Sequence, residues 1–383
     1  MFSCNEKISV RQLQALVILY VFGAGVTVLP RRAAEAAGRD GWFVVILSAA
    51  LAMLCVYVIA SLAAIFPGEG FVDYSSKILS KPIGVLLGLG LFAKIIISSA
   101  MELRIFSEIV QQTMLAETPR TVVCALMLGA GVYAALCGYE VRGRIAEILL
   151  FITAPLTLVF FLLAAADADF SNLMPVMVFA DACELIRGSV TVGMSFTGIE
   201  LCLLVFPYIN ASEGGQAAAI RPALVKTAGL IGAAMVMATV IATAKFGAAD
   251  LREQQWPVLE LMDAIEFPGS FIERQDAIVM VFWISSVFAV MNAGIFFSAL
   301  LLKDIFKKEW RGVYIAVSGA LILGLAMLPR SEAQVYEIQK YIFYTFGAAY
   351  MIIIPLLIII AAKLRKSEAD VGSSHRGRTG REK

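Results

Sequence analysis

Glycine interrupts two long hydrophobic runs of the chain, at Phe22-Gly-Ala-Gly-Val-Thr27 and at Gly193-Met-Ser-Phe-Thr-Gly198. Glycine disfavours the helix and lets the backbone approach a ligand closely. In a lipid bilayer, unwound backbone is tolerated only where its N–H and C=O groups line a cavity or are buried in protein. We therefore predict that both stretches are unwound and border one binding cavity. The alternative is that these glycines only let helices pack closely, which is common in membranes.

The composition is that of a membrane protein. Of the 383 residues, 60% are hydrophobic and 16% are charged, and the mean hydropathy is +0.83. A helix needs about 20 apolar residues to cross the bilayer core. Ten such runs lie at 10–30, 42–66, 83–113, 121–137, 145–165, 182–206, 222–246, 275–302, 312–328 and 339–362. We predict an all-α polytopic membrane protein with ten transmembrane helices, in which helices 1 and 6 are broken at the glycine stretches.

The ten runs divide into two sets of five, at 10–165 and 182–362. The first run of each set carries a glycine stretch, and the third run of each, at 83–113 and 275–302, is the longest. Long runs are typical of tilted helices. Because each set has an odd number of runs, the second set crosses the membrane in the opposite sense. We predict two inverted five-helix repeats.

Basic residues indicate the orientation. With both termini in the cytoplasm, the inner segments hold the larger share of Lys and Arg, as the positive-inside rule requires. This topology makes residues 1–9 a cytoplasmic N-terminus and residues 247–274 an extracytoplasmic loop, with a short amphipathic helix predicted at 258–265. It assigns Arg32 to an outer segment. Residues 363–383 form a cytoplasmic tail, predicted to be disordered because it is rich in Gly, Ser and charge.

Charged residues inside the runs are candidates for function, because a charge in the bilayer is expensive. They are Lys94, Glu102, Arg104 and Glu108 in the third run and Glu200 in the sixth. At 3.6 residues per turn, Lys94, Ser98 and Met101 share one helix stripe, with Glu102 beside it. Arg104 and Glu108 are four residues apart and are predicted to form a structural ion pair. Lys94 either faces the cavity or neutralises Glu200 or Glu102.

A cavity between the two glycine stretches suits a small amino acid. Its carboxylate requires backbone N–H groups at a helix N-terminus, which the first stretch offers near Val26 and Thr27. Its ammonium requires carbonyl and hydroxyl oxygens, which the second stretch offers at Ser195 and Thr197. The predicted ligand-binding residues are Gly23, Ala24, Gly25, Thr27, Ser98, Met101, Ser195, Thr197, Gly198 and Ile199, with Lys94, Glu102 and Glu200 as intramembrane charge candidates.

Groups that other kinds of chemistry require are missing from the sequence. The single histidine, His375, lies in the polar tail, and the six cysteines occur singly. The sequence contains no phosphate-binding GxxxxGK[ST] motif and no acidic metal cluster. We predict that the chain is not an enzyme and that it has no cofactor, no metal ion and no nucleic-acid partner.

Several short motifs occur in an order that resembles one known family. They are Ile8-Ser9 followed by Gln12, then Leu29-Pro30, Ala37-Gly-Arg-Asp-Gly-Trp42, Gly138-Tyr-Glu-Val-Arg-Gly-Arg144, Gly198-Ile-Glu200, Trp256-Pro257 and Phe271-Ile-Glu-Arg274. Over residues 8–362 the chain resembles the B subunits of endospore nutrient germinant receptors. That family is a branch of the amino acid, polyamine and organocation transporter superfamily.

The resemblance implies a LeuT-like fold of two inverted repeats, with the site between spans one, three, six and eight. It implies a place in the inner membrane of the spore, beside a membrane A subunit and a lipoprotein C subunit. The chain would bind a small amino acid or similar nutrient and trigger germination. The alternative function is a secondary amino acid transporter, or permease, with alternating access. Some superfamily members carry a lysine in span five that replaces a sodium ion, and residues 145–165 contain none, so ion coupling is left open.

Overall fold

The regular elements of the protein are helices. The computed structural model describes residues 7–176, 182–209, 216–264 and 275–365. The first half contains α1 (Val10–Gly25), α2 (Leu29–Ala37), α3 (Gly41–Ile65), α4 (Phe71–Ile78), α5 (Lys81–Thr113), α6 (Arg120–Leu136) and α7 (Tyr139–Ala166). The second half contains α8 (Ala182–Val192), α9 (Gln216–Glu253), α10 (Pro257–Asp263), α11 (Gln275–Phe306), α12 (Arg311–Ala326) and α13 (Glu332–Ile342). After α13, helical structure continues through two π-helical turns, Phe343–Gly347 and Ala349–Ile353, to residue 365.

Six stretches of the described chain are long and apolar enough to cross a membrane. They are Leu29–Ile65, Lys81–Thr113, Tyr139–Ala166, Ala219–Glu253, Trp283–Phe306 and Glu332–Arg365. Three shorter apolar helices accompany them, at Val10–Gly23, Arg120–Leu136 and Arg311–Ala326. Large apolar side chains such as Leu126 and Phe151 lie on the surface, which suits contact with lipid. The chain is thus a multi-pass membrane protein, and the count of ten spans in two inverted repeats stays a prediction.

The first predicted run, 10–30, is interrupted by a three-residue turn. A capping box begins α1, because the Ser9 hydroxyl accepts from the Gln12 N–H and the Gln12 side chain accepts from the Ser9 N–H. The helix ends at Gly25, and α2 begins at Leu29 with Pro30 in its first turn, where a residue without an N–H is tolerated. Gly23 to Gly25 are therefore helical, and the prediction that they are unwound was wrong. We call residues 26–28, which follow them, the first interruption. Because α2 continues to Ala37, helical structure extends beyond the predicted end of the run.

The sixth predicted run, 182–206, changes from α-helix to short 3-10 turns in its middle. The α-helical part, α8, ends at Val192, and the chain continues in short 3-10 turns at Gly193–Phe196, Ile199–Leu204 and Phe206–Tyr208. We call residues 193–208 the second interruption. Its end meets the start of α1, where the Ile8 N–H donates to the Tyr208 carbonyl at 2.8 Å. The two interrupted segments therefore run side by side.

The remaining helices enclose these segments. Along its length α3 packs on α9, α5 packs on α11, and α1 packs on both α9 and α11. One large core of buried apolar side chains joins α1, α3, α5 and α11 to the second interruption. A smaller core forms around α7, α9 and α10. Helices from both halves of the chain thus hold the two interruptions in the interior.

The predicted extracytoplasmic loop at 247–274 is shorter than expected at its start. The chain kinks at Gly247, where φ is +76°, and helix α9 then continues to Glu253. The predicted amphipathic helix is present as α10, with Leu259 and Met262 buried. The final residue of that prediction, Ile265, lies outside the described residues. So does the tail after residue 365.

Candidate functional site

A cavity lies between the two interrupted segments and helices α5, α11 and α13. Its volume is about 50 Å³, which is room for on the order of four water molecules. The lining residues are Tyr20, Arg32, Lys94, Ser98, Glu102, Met194, Thr197, Val290, Gln339, Ile342 and Phe343. The set combines apolar and aromatic walls with both signs of charge. Ligand sites usually have this character, with a few converging polar groups on an apolar background.

Glycine allows the end of α1 to touch the second interruption. A Cβ atom on Gly25, the last residue of α1, would overlap the backbone carbonyl of Ser195, so only glycine permits this approach. Gly23, two residues earlier, faces another helix, and its Cβ would lie 3.1 Å from that of Ser286 in α11. Gly25 therefore fixes the contact of α1 with the second interruption, whereas Gly23 fixes the packing of α1 on α11.

A buried ion pair holds the second interruption. Lys94 Nζ on α5 contacts Glu200 Oε1, and the two residues are 1% and 0% exposed. Lys94 Nζ also donates to Thr197 Oγ1 at 3.0 Å. The second carboxylate oxygen of Glu200 accepts from the Gly198 N–H at 2.8 Å. The carboxylate thus satisfies a backbone donor that the interruption frees, and Lys94 neutralises the carboxylate. Of the partners left open by the sequence, Lys94 takes Glu200.

Gly198 has a conformation that other residues rarely adopt. Its φ is +108°, and a Cβ there would overlap the ring of Tyr20, which lies on α1. The Tyr20 ring covers this glycine and also lines the cavity. The left-handed backbone at Gly198 aims its N–H at Glu200. Glycine is therefore required here both by backbone conformation and by contact.

Arg32 lies at the cavity, although the sequence assigns it to an outer segment. It is in the first turns of α2, and its Nη1 donates to Ser195 Oγ at 3.4 Å. Arg32 lies two residues beyond the predicted end of the first span, at residue 30. In the structure the helix restarts at Leu29, and this helix places the half-buried Arg32 at the cavity wall.

Glu102 lines the same cavity and differs from the other acidic residue on its helix. Glu108 pairs with Arg104 at 2.7 Å and with Arg120 at 3.5 Å, which confirms the predicted structural ion pair. Glu102 is only 8% exposed, and no described residue donates a hydrogen bond to it. The described residues contain no group of three or more His, Cys, Asp and Glu that would hold a metal ion.

The structure brings together part of the predicted site. Ser98, Lys94, Glu102 and Thr197 line the cavity, and Glu200 lies behind them. Gly25, Ser195 and Gly198 form the junction of α1 with the second interruption. The remaining members do not line the cavity: Gly23 packs on α11, and Thr27, Met101 and Ile199 are buried elsewhere. The Ala24 side chain lies outside the description. Ligand binding by any of these residues remains a prediction.

Seven lining residues were missed from the sequence. They are Tyr20, Arg32, Met194, Val290, Gln339, Ile342 and Phe343. Three of them had a local signal, because Met194 lies inside the second glycine stretch, Tyr20 shortly precedes the first stretch, and Arg32 follows the first stretch by little more than one turn. The residues contributed by α13 and the turn after it had none, since their place depends on how that helix packs.

Most of the chain is similar in fold to a solved structure. A crystal structure of MhsT in complex with L-phenylalanine matches with a TM-score of 0.63, covering 92% of this chain and 97% of that one. The sequence identity is 13%, so the likeness concerns the fold alone.

Sequence comparison identifies the family. Spore germination protein YndE of Bacillus subtilis (strain 168) is 27% identical, covering 96% of this chain and 99% of that protein. Spore germination protein A2 of the same organism is 24% identical over 94% of this chain and 97% of its own length. Spore germination protein GerLB of Bacillus cereus is 23% identical, with 94% and 96% covered. A sequence model of the family described as spore germination protein matches residues 7–335. The chain therefore belongs to the spore germination protein family.

Proposed function

We propose that this chain is the nutrient-binding membrane subunit of a spore germinant receptor and binds a small amino acid, or a similar nutrient, between its two interruptions. The observation that carries the proposal is the cavity itself. It lies inside a membrane protein of a germination family, and it contains Arg32 and Glu102 among apolar walls. The fold likeness to MhsT, which was crystallised with L-phenylalanine, is consistent with an amino acid.

The proposed architecture is the ten-span inverted repeat predicted from the sequence. Its first repeat covers residues 10–165 and its second covers 182–362. The proposal is supported by α5 and α11, which are 33 and 32 residues long and hold the third place in each repeat. In this topology both termini are cytoplasmic, residues 247–274 are extracytoplasmic, and residues 363–383 form a disordered cytoplasmic tail.

The proposed surroundings are the inner membrane of a spore, with a membrane A subunit and a lipoprotein C subunit as partners. Ligand in the cavity would contact α2 through Arg32, α5 through Glu102 and α13 through Gln339. A ligand that binds one packing of these helices more tightly shifts the population toward it. The partner subunits then respond to the packing that the ligand favours.

The first experiment is a binding screen on the purified full chain in lipid nanodiscs. Thermal shift against the twenty amino acids, followed by radioligand titration of each hit, measures specificity and affinity. Ser98→Leu places extra volume in the cavity and is expected to abolish binding. Ser61→Leu is the matched control, because the Ser61 hydroxyl bonds only the Tyr57 carbonyl of its own helix. Equal binding by both variants would refute the location of the site.

A second measurement separates sensing from transport. The same chain is reconstituted in liposomes, and uptake of the bound amino acid is followed with and without ion gradients. A receptor subunit is expected to bind without net flux, whereas a permease accumulates its substrate. Sustained uptake by this chain alone would favour the transporter function.

A further inference from the structure

The cavity contains charged groups of two kinds. Lys94 already contacts Glu200 and Thr197, so its charge is neutralised within the protein. Arg32 and Glu102 line the cavity without such a pairing to each other, since no ion pair within 4 Å joins them. A ligand therefore meets one guanidinium and one carboxyl group whose hydrogen-bonding capacity is still open.

Glu102 lacks a hydrogen-bond donor among the described residues. It is more than nine-tenths buried, and its remaining exposure is at the cavity that it lines. A buried carboxylate with no donor is costly, and intramembrane acidic residues normally have a partner. Glu108, one helix turn and a half further along α5, has two arginine partners. Glu102 thus presents acceptor oxygens that suit a cationic donor entering the cavity.

Arg32 has most of its donors unused. Its one hydrogen bond to a described side chain goes to the neutral hydroxyl of Ser195, at 3.4 Å. A guanidinium carries five N–H donors in a planar fork. That fork matches a carboxylate bidentately, and such pairs are stronger than bonds to neutral acceptors. Arg32 is therefore suited to an anionic group that enters beside it.

We propose that Glu102 accepts the primary ammonium of the ligand and that Arg32 binds its carboxylate. The ligand class is then a small zwitterion with a free amine, oriented with its carboxylate toward α2 and its amine toward α5. This rests on the proposed function, because it assumes that the cavity is the ligand site. It replaces the sequence-based expectation that backbone N–H groups near Val26 hold the carboxylate and that oxygens of the second interruption hold the ammonium. A zwitterion supplies a counter-ion to each residue without adding net charge to the membrane interior.

Wild-type protein tests the ligand class without any substitution. Each of the twenty L-amino acids is titrated in nanodiscs beside its α-hydroxy acid, which lacks the amine, and its decarboxylated amine, which lacks the carboxylate. Each single-function analogue is expected to bind roughly 30-fold or more weakly than the parent, the loss typical of an unpaired buried charge. An α-hydroxy acid that binds as tightly as its amino acid would overturn the role of Glu102 while leaving the cavity as the ligand site.

Substitutions of Glu102 and Arg32 test which residue binds the ammonium of the ligand and which binds its carboxylate. Glu102→Gln is expected to weaken amino acid binding by the same factor while leaving the weak affinity for the α-hydroxy acid unchanged. Arg32→Gln is expected to weaken amino acid binding while leaving the affinity for the amine unchanged. Glu108→Gln is the matched control, since it changes a buried acidic residue of α5 that does not line the cavity. Glu102→Asp keeps the charge and is expected to retain part of the binding.

The outcomes separate this inference from the proposed function. Wild-type affinity for amino acids in Glu102→Gln overturns the inference and leaves the proposed function intact. A sodium requirement for binding that Glu102→Gln removes also overturns it, because Glu102 would then hold the ion. Failure of all twenty amino acids to bind the wild-type chain overturns the inference and restricts the proposed function to a nutrient of another class. Should Glu102→Gln fail to fold, the wild-type analogue series and Glu102→Asp still decide.

Discussion

Both interruptions must provide hydrogen-bond partners for the backbone groups that a break in a helix frees, and they differ in length. In the first, residues 26–28, the backbone supplies its own partners: the Val26 N–H donates to the Phe22 carbonyl and the Leu29 N–H to the Val26 carbonyl. The second, residues 193–208, is longer and includes a side-chain acceptor, since Glu200 accepts from the Gly198 N–H. A short break can be closed by backbone alone, whereas the longer one brings a carboxylate into the protein interior.

That carboxylate makes the second interruption depend on another helix. Glu200 is fully buried, and its counter-ion, Lys94, is supplied by α5. The first interruption has no equivalent, because α2 restarts with Pro30 and the backbone bonds close the turn. Substitutions in α5 should therefore disturb the second interruption and leave the first intact.

The largest loss in the free energy of unfolding is expected when one charge of the buried Lys94–Glu200 pair is removed. Lys94→Met leaves Glu200 buried and unpaired, and such a loss typically costs about 3–5 kcal/mol in the free energy of unfolding. The double variant Lys94→Met/Glu200→Gln should recover most of this loss, because the amide oxygen still accepts from the Gly198 N–H without a charge. Unfolding of the purified variants in mixed micelles, followed by circular dichroism, measures both values.

A surface ion pair gives the matched control. Lys245 contacts Asp167, whose side chain is 81% exposed, so Lys245→Met should cost less than about 1 kcal/mol. A loss in Lys94→Met no greater than that of Lys245→Met would show that the second interruption is held without the charge pair. The comparison between the interruptions would then fail.

Matched glycine substitutions test the contact of α1 with the second interruption. Gly25→Ala forces a Cβ against the Ser195 carbonyl and should cost about 1–3 kcal/mol in stability, as overpacking does. Gly193→Ala meets no atom within 4 Å and should stabilise the protein by about 0.4–1 kcal/mol, because alanine reduces the freedom of the unfolded chain. Thermal unfolding of both variants in one detergent measures the difference. Equal stabilities would contradict the close approach at Gly25.

The positions of these features along the chain could be predicted from the sequence to different degrees. Hydrophobic runs located α3 and α6 within a residue or two, since a span of apolar residues has few alternatives in lipid. The second glycine stretch located its interruption, whereas the first interruption begins only after the glycines that predicted it, at residue 26. The internal structure of the interruptions was not predictable, because glycine permits unwinding without specifying where helical bonds resume. For that reason the first predicted span ended inside α2, and Arg32 was not predicted to line the cavity.

The side-chain contacts between helices were the second feature that could not be predicted from the sequence. Lys94 had two candidate acidic partners in the sequence, and the choice of Glu200 depends on how closely α5 approaches the second interruption. Gln339 and Phe343 line the cavity because of how α13 packs. The sequence of α13 contains no local pattern that predicts this packing. The charged candidates were therefore identified by their cost in lipid, but their roles were decided by tertiary structure.

The smallest expected loss of stability tests whether the Lys94–Glu200 ion pair or the Thr197 hydroxyl holds the second interruption. Thr197→Val removes the hydroxyl that accepts from Lys94 Nζ and donates to Glu200 Oε1 at 3.4 Å, but it leaves the Lys94–Glu200 contact in place. The loss should be about 1–2 kcal/mol, the usual net value of one or two hydrogen bonds. Thr239→Val is the control, because the Thr239 hydroxyl bonds only the Met235 carbonyl of its own helix. If Thr197→Val costs as much as Lys94→Met, the hydroxyl and not the charge pair holds the interruption. If it costs no more than Thr239→Val, the pair alone suffices, and the long break depends on charge where the short one depends on backbone.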